Sequence, residues 1–146
     1  MARSGQFMKN RILQIIFFCS LLSGTPSCKK FIEQQKENAL ENLVTNGTWR
    51  VTRYVDHQTD ITDSFSGYIF QFKSGGTVDG IIGPQTIPGV WSANVNARTI
   101  QSNFPNTGDP LKKLNYTWTV TDSYTDSVSA RTAVDSVYNY LQLHKN

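Results

Sequence analysis

Hydrophobic and polar residues follow three regimes along this chain. Residues 12–22 form a run dominated by large apolar side chains, Ile12-Leu13-Gln14-Ile15-Ile16-Phe17-Phe18-Cys19-Ser20-Leu21-Leu22. Lys30–Val44 contains helix formers and neither Gly nor Pro, and Ile32, Ala39, Leu40, Leu43 and Val44 cluster at helical spacing, predicting one short helix. Glu33, Glu37 and Glu41 repeat every fourth residue on another face, where like charges repel mildly. Asn46-Gly47 ends the pattern, since both residues tolerate positive φ. From residue 48 the period changes to two, with turn residues at short intervals, the signature of strands and hairpins.

The predicted strands follow in order. Trp49, Val51 and Val55 are expected on one face of the first. A polar loop covers Asp56 to Asp63. Tyr68, Phe70 and Phe72 alternate with Gly67, Ile69 and Gln71 in the second, and Lys73-Ser74-Gly75-Gly76 is a hairpin turn. Thr77–Ile82 is a third strand, broken by Gly83-Pro84, and Gly89–Ala93 a short fourth. Arg98–Asn103 precedes a Pro/Gly/Asn loop. Leu114, Tyr116, Trp118 and Val120 then alternate with Asn115, Thr117, Thr119 and Thr121. Asp126–Arg131 and Val137–His144 complete about eight strands. One polar face per strand fits antiparallel neighbours, and no helical stretch separates the strands as βαβ units require. Eight antiparallel strands in sequence close into an up-and-down barrel without exposed edges, whose interior is filled by side chains or holds one small ligand. An open β-sandwich is the competing architecture. The fold class expected is therefore all-β, an eight-stranded antiparallel barrel with a short N-terminal helix.

Charge refines the picture at the N-terminus. The 146 residues carry 14 Lys and Arg against 11 Asp and Glu. Three of the basic residues, Arg3, Lys9 and Arg11, stand before the apolar run, and all the acidic ones follow residue 32. A basic n-region, an apolar stretch well short of the roughly 20 residues a spanning helix needs, and small residues after it read as a signal segment. Without it the chain is formally neutral, so basicity is no argument for nucleic acid or another polyanion.

Ser23-Gly24-Thr25-Pro26-Ser27-Cys28 places small residues before a cysteine and resembles the lipobox of bacterial lipoproteins. The resemblance implies cleavage before Cys28 and acylation of that residue, and two acyl chains give stable membrane anchoring where one does not. Lys29-Lys30 in place of an acidic residue resembles the class sorted to the outer membrane. The expected division is a signal peptide over residues 1–27, a lipid-anchored tether over 28–46 and a barrel over 47–146. Gly47-Thr48-Trp49 opening the first strand, Phe70-Gln71-Phe72 before a glycine turn, and the recurrence Gly89-Val90-Trp91 are similar to lipocalin-like domains of Gram-negative bacterial lipoproteins. In lipocalins an Arg near the last strand lies across the first-strand Trp. Residues 137–146 contain no Arg, leaving Arg131 or Lys145 for that place.

Candidate chemistry is sparse. Residues 28–146 hold two histidines, His57 and His144, far apart in sequence. His57 with Asp56, Asp60 and Asp63 is the one imidazole-carboxylate loop, and such Asp-rich loops are usually solvated turns. No Glu follows Glu41, and the Asp residues fall mostly in predicted turns, so a buried acid-base pair is not expected. No glycine-rich phosphate loop precedes a helix. The sequence therefore points away from an enzyme, a metal site or any cofactor. Aromatic lining remains. Trp49, Tyr68, Phe70, Phe72, Tyr116 and Trp118 are expected to face one interior, as packed core or as the wall of a pocket for a small hydrophobic ligand. The functional expectation is an envelope lipoprotein, held on the membrane through acylated Cys28, whose barrel binds such a ligand. The alternative is a solid barrel that binds protein or glycan through its outside.

Overall fold

The computed structural model describes residues 27–134 and 136–146. The expected signal segment therefore lies outside the described residues, apart from Ser27. The chain divides into two compact units, Met1–Ile32 and Glu33–Asn146. Of the first, Ser27–Ile32 is described: it is helical, and Phe31 and Ile32 are exposed.

The helix α1 runs from Ser27 to Thr45. It ends just before the predicted stop Asn46-Gly47, where Gly47 has a φ of +100°. The Thr45 hydroxyl folds back onto the Glu41 carbonyl oxygen in the last turn. Leu40, Leu43 and Val44 follow helical spacing, and Val44 is buried in the barrel's core with Leu40 packed against it.

The strands are β1 (Trp49–Asp56), β2 (Thr59–Asp60), β3 (Tyr68–Lys73), β4 (Thr77–Ile82), β5 (Gln85–Asn94), β6 (Thr99–Asn103), β7 (Thr117–Ser123), β8 (Ser127–Val134) and β9 (Val137–Lys145). β3 to β9 pair in chain order, each antiparallel to the next. β1 joins β3 on one side and β9 on the other, so the sheet closes on itself. β2 is a two-residue flap on the end of β1, which leaves eight wall strands: the closed up-and-down barrel expected, rather than a sandwich. Closure is uneven. β1 meets β9 through six register pairs but β3 through a single one, Trp49 with Phe70.

Two local departures from simple alternation matter. A β-bulge lies between Val51 and Arg53. The extra residue reverses the inside-outside count beyond it, so Tyr54, fully buried, points inward in place of Val55. The expected face of Trp49, Val51 and Val55 is thus corrected to Trp49, Val51 and Tyr54. The fourth strand is twice the expected length. β5 includes Pro88 and Gly89 because β6 begins pairing only at Val90. At Pro88 the strand has β4 as its one neighbour, so the missing N–H costs no ladder bond. Gly89 is required by close approach: a Cβ there would stand 2.7 Å from the Phe104 ring and 2.9 Å from the Asn103 carbonyl oxygen.

Candidate functional site

The barrel interior is where the sequence places function, and its two poles are closed differently. At the α1 pole, Trp49 is buried and donates its indole N–H to the Val44 carbonyl oxygen at 2.8 Å. Lys145, near the end of β9, lies over the Trp49 ring with Nζ 5.2 Å from the centroid. The same ammonium donates to the Leu43 carbonyl oxygen at 3.2 Å. Of the two residues weighed for the place across this ring, Lys145 holds it, and Arg131 instead faces outward over Tyr138. One cation covers the ring and ties the helix end to the last strand.

The opposite pole is plugged by two loops. A 3₁₀ turn at Thr62–Phe65 inserts Phe65, and the β6–β7 connection supplies Phe104, Leu111 and Leu114, the last two from a 3₁₀ turn. Phe65 stacks on Tyr54 at 5.1 Å between centroids, and Tyr54 meets Trp118 edge-on at 5.8 Å. Burial pushes the Tyr54 hydroxyl well above the ordinary tyrosine range, and it donates to the Lys113 carbonyl oxygen. Asp56 accepts from Lys113 and stands 2.8 Å from His57 Nδ1. The Lys113 hydrogen bond holds the Asp56 carboxyl below its usual range. Asn139, fully buried, accepts the His57 backbone N–H through Oδ1, while its Nδ2 has no partner among the described residues. Asp56, Lys113, Tyr54 and Asn139 thus clasp the β1–β2 turn, the β6–β7 loop and β9 together.

The imidazole-carboxylate loop resolves into these contacts. Asp60 accepts from the Thr62 hydroxyl and backbone N–H, which lowers its pKa. Among the described residues no three His, Cys, Asp or Glu side chains group to hold a metal ion.

Between the poles the space is nearly full. An apolar cavity of about 40 Å³ lies here, walled by Phe70, Phe72, Val78, Trp118, Val128 and Leu141 among others, and a more open space of about 130 Å³ under α1, lined in part by Leu40, Leu43 and Val120, shares Ile100 and Val128 with it. The polar member of the smaller cavity, Ser102, already donates to the Leu114 carbonyl oxygen at 2.6 Å. Of the six aromatic residues singled out from sequence, Phe70, Phe72 and Trp118 line this cavity. Trp49 belongs to the helix pole. Tyr68 and Tyr116 are half-buried flankers, stacked on Phe70 at 6.1 Å and edge-on to Trp118 at 5.9 Å. Cys28 is the second residue of α1.

The clasp residues Asn139 and Lys113 escaped sequence reasoning. An asparagine inside a hydrophobic strand, between Tyr138 and Tyr140, was the available signal, because a buried amide demands partners. The outer wall was also passed over. There Arg53 covers Tyr140 with Cζ 5.5 Å from the ring centroid, and Arg131 covers Tyr138 at 4.8 Å.

No protein-family model matches the chain, and no curated protein does. Among solved structures, the chain is similar to the crystal structure of a DUF4847 family protein from Bacteroides vulgatus ATCC 8482. The likeness has a TM-score of 0.53 at 21% identity and covers 73% of this chain and 97% of that one. At that identity the likeness speaks to the fold, and the neighbour's description carries no activity.

Proposed function

We propose that the protein is a membrane-tethered barrel that works through its outside, an interaction module of the cell envelope rather than a carrier of a small molecule. One observation carries this reading: the apolar cavity inside the barrel is about 40 Å³, against roughly 300–1,000 Å³ for sites that enclose a small-molecule ligand. Even an engineered cavity that admits benzene is about 150 Å³. Opening comparable space here means withdrawing Phe104 or Leu114 from the plugged pole, or Leu40 and Leu43 of α1 from the other end. The tether half of the proposal rests on the basic and apolar N-terminal pattern and on Cys28.

Each half has its own test. Native mass spectrometry of the protein extracted from membranes is expected to give the mass of the acylated chain and nothing more; a stoichiometric co-purified lipid reinstates the hydrophobic-ligand reading. Cys28→Ala is expected to move the protein from the membrane pellet to the soluble envelope fraction. If it still pellets after a salt wash, the anchor is not this residue.

A further inference from the structure

Taking the outer wall as the working surface, the reading just given, the geometry points to the β1–β9–β8 face as a docking surface for an acidic polypeptide segment of another protein. Alternation alone would send Arg50 and Arg53, three apart, to opposite sides of β1. The bulge at Val51–Arg53 leaves both exposed. Arg131 on β8 is exposed beside Tyr138 on β9, itself 59% exposed. The stacks alternate across three strands, Arg53 on Tyr140 and Arg131 on Tyr138, and the Tyr140 hydroxyl donates to Ser129 Oγ.

Composition and charge say what fits. Residues 50–55, 127–133 and 138–144 contain no Lys, Asp or Glu. Three of the four arginines after residue 28 lie within those stretches. Enrichment in Arg and Tyr with depletion of Lys, Glu and Asp marks the core of protein interfaces. Among the described residues carboxylates approach at the margins: Asp60 near Arg53, Asp126 3.7 Å from His144, and exposed Asp122 on β7 opposite Ser129. The rings hold the guanidiniums in place, so less side-chain entropy is lost when their forks meet carboxylates. A second copy of this chain offers the face more arginines than carboxylates, which disfavours self-association through it. Three strands about 4.8 Å apart and about seven residues long present roughly 350 Å², less than half the roughly 800 Å² each partner gives a stable complex. The contact is a transient one.

The test uses the full chain purified in neutral detergent, with poly-L-glutamate as probe. Binding that weakens with added salt is expected. Arg50→Ala/Arg53→Ala/Arg131→Ala should weaken it about tenfold or more. Lys29→Ala/Lys30→Ala/Lys112→Ala, an equal loss of charge elsewhere, should change it less than about twofold. Should the triple arginine variant fail to fold, Arg131→Glu alone should still weaken binding at least about threefold. Equal effects of the two triple variants, or no glutamate binding, overturn the proposal. So does tighter binding of polygalacturonate, which makes the partner an acidic glycan, or of phosphatidylglycerol vesicles, which makes it a lipid surface. Failed glutamate binding with an empty interior removes this face and leaves the tethered barrel standing. Intact glutamate binding with a bound interior lipid does the reverse.

Discussion

At the scale of single residues, the barrel depends on a few side chains with no substitute. Lys145 is one: its ammonium serves both the Trp49 ring and the Leu43 carbonyl oxygen. Lys145→Met keeps most of the aliphatic stem and removes both interactions. It is expected to lower stability by about 1–2 kcal/mol in denaturant titration, with a loss of helix signal as α1 loosens. Gly89 is another. Gly89→Ala drives a methyl group into Phe104 and the Asn103 carbonyl oxygen, and overpacking of that kind costs about 1–3 kcal/mol; an unchanged melting temperature would show that the loop yields freely. Much of this was legible beforehand. Trp49 at the start of the first strand, and Lys145 as one of two candidates to cover it, can be read from order along the chain. Val55 could not be placed correctly, because one inserted residue at the bulge inverts every face beyond it and leaves no mark in the hydropathy pattern. Asn139 was hidden for a similar reason: its partner is a backbone N–H more than eighty residues away.

At the scale of elements, the eight strands and the helix follow from period and turn residues, whereas the pole-closing pieces do not: Asp56–Asp63 and Phe104–Pro110 read as plain loops, and Leu114 reads as the start of a strand that begins only at Thr117. Phe65 is a single apolar residue in a polar connection, and Phe104, Leu111 and Leu114 are spread irregularly over the β6–β7 connection, so neither stretch gives a periodicity to detect. The length of β5 was missed because Pro88 and Gly89 ordinarily stop a strand, and only the short reach of β6 explains why they do not. The clasp at the plugged pole makes stability depend on pH. Asp56 has a folded-state pKa below its unfolded one, so its contribution is complete above the unfolded value, about 3.9. It is lost as pH falls through the lower folded value. Thermal melts should therefore show Asp56→Asn costing stability at pH 7 and progressively less as acid is added through that window; a constant difference down to strongly acidic pH would argue against the clasp. The β1–β2 turn offers the opposite change. His57 and Gln58 both hold positive φ, 46° and 72°, as a type I′ hairpin demands. Gln58→Gly relieves that strain and should raise stability by about 0.5–1 kcal/mol, read as a higher melting temperature.

At the scale of the whole molecule, the sheet is a closed surface around a nearly solid core, and its weakest line is the β1–β3 seam. Amide protons of β3 directed toward β1 should exchange with solvent distinctly faster than those it shares with β4, since local opening concentrates where backbone pairing is sparse. Equal protection on both sides would show that the seam does not open locally despite its sparse pairing.

The pairing of β1 with β9 also sets a timetable. The first and last strands of the barrel are zipped together, and Asn146 donates its backbone N–H to Thr48. A chain made only as far as β8 lacks the strand that completes the ring. Until β9 is in place the ring stays open along β1, and removal of Leu141–Lys145 would take away most of the rungs that shut it.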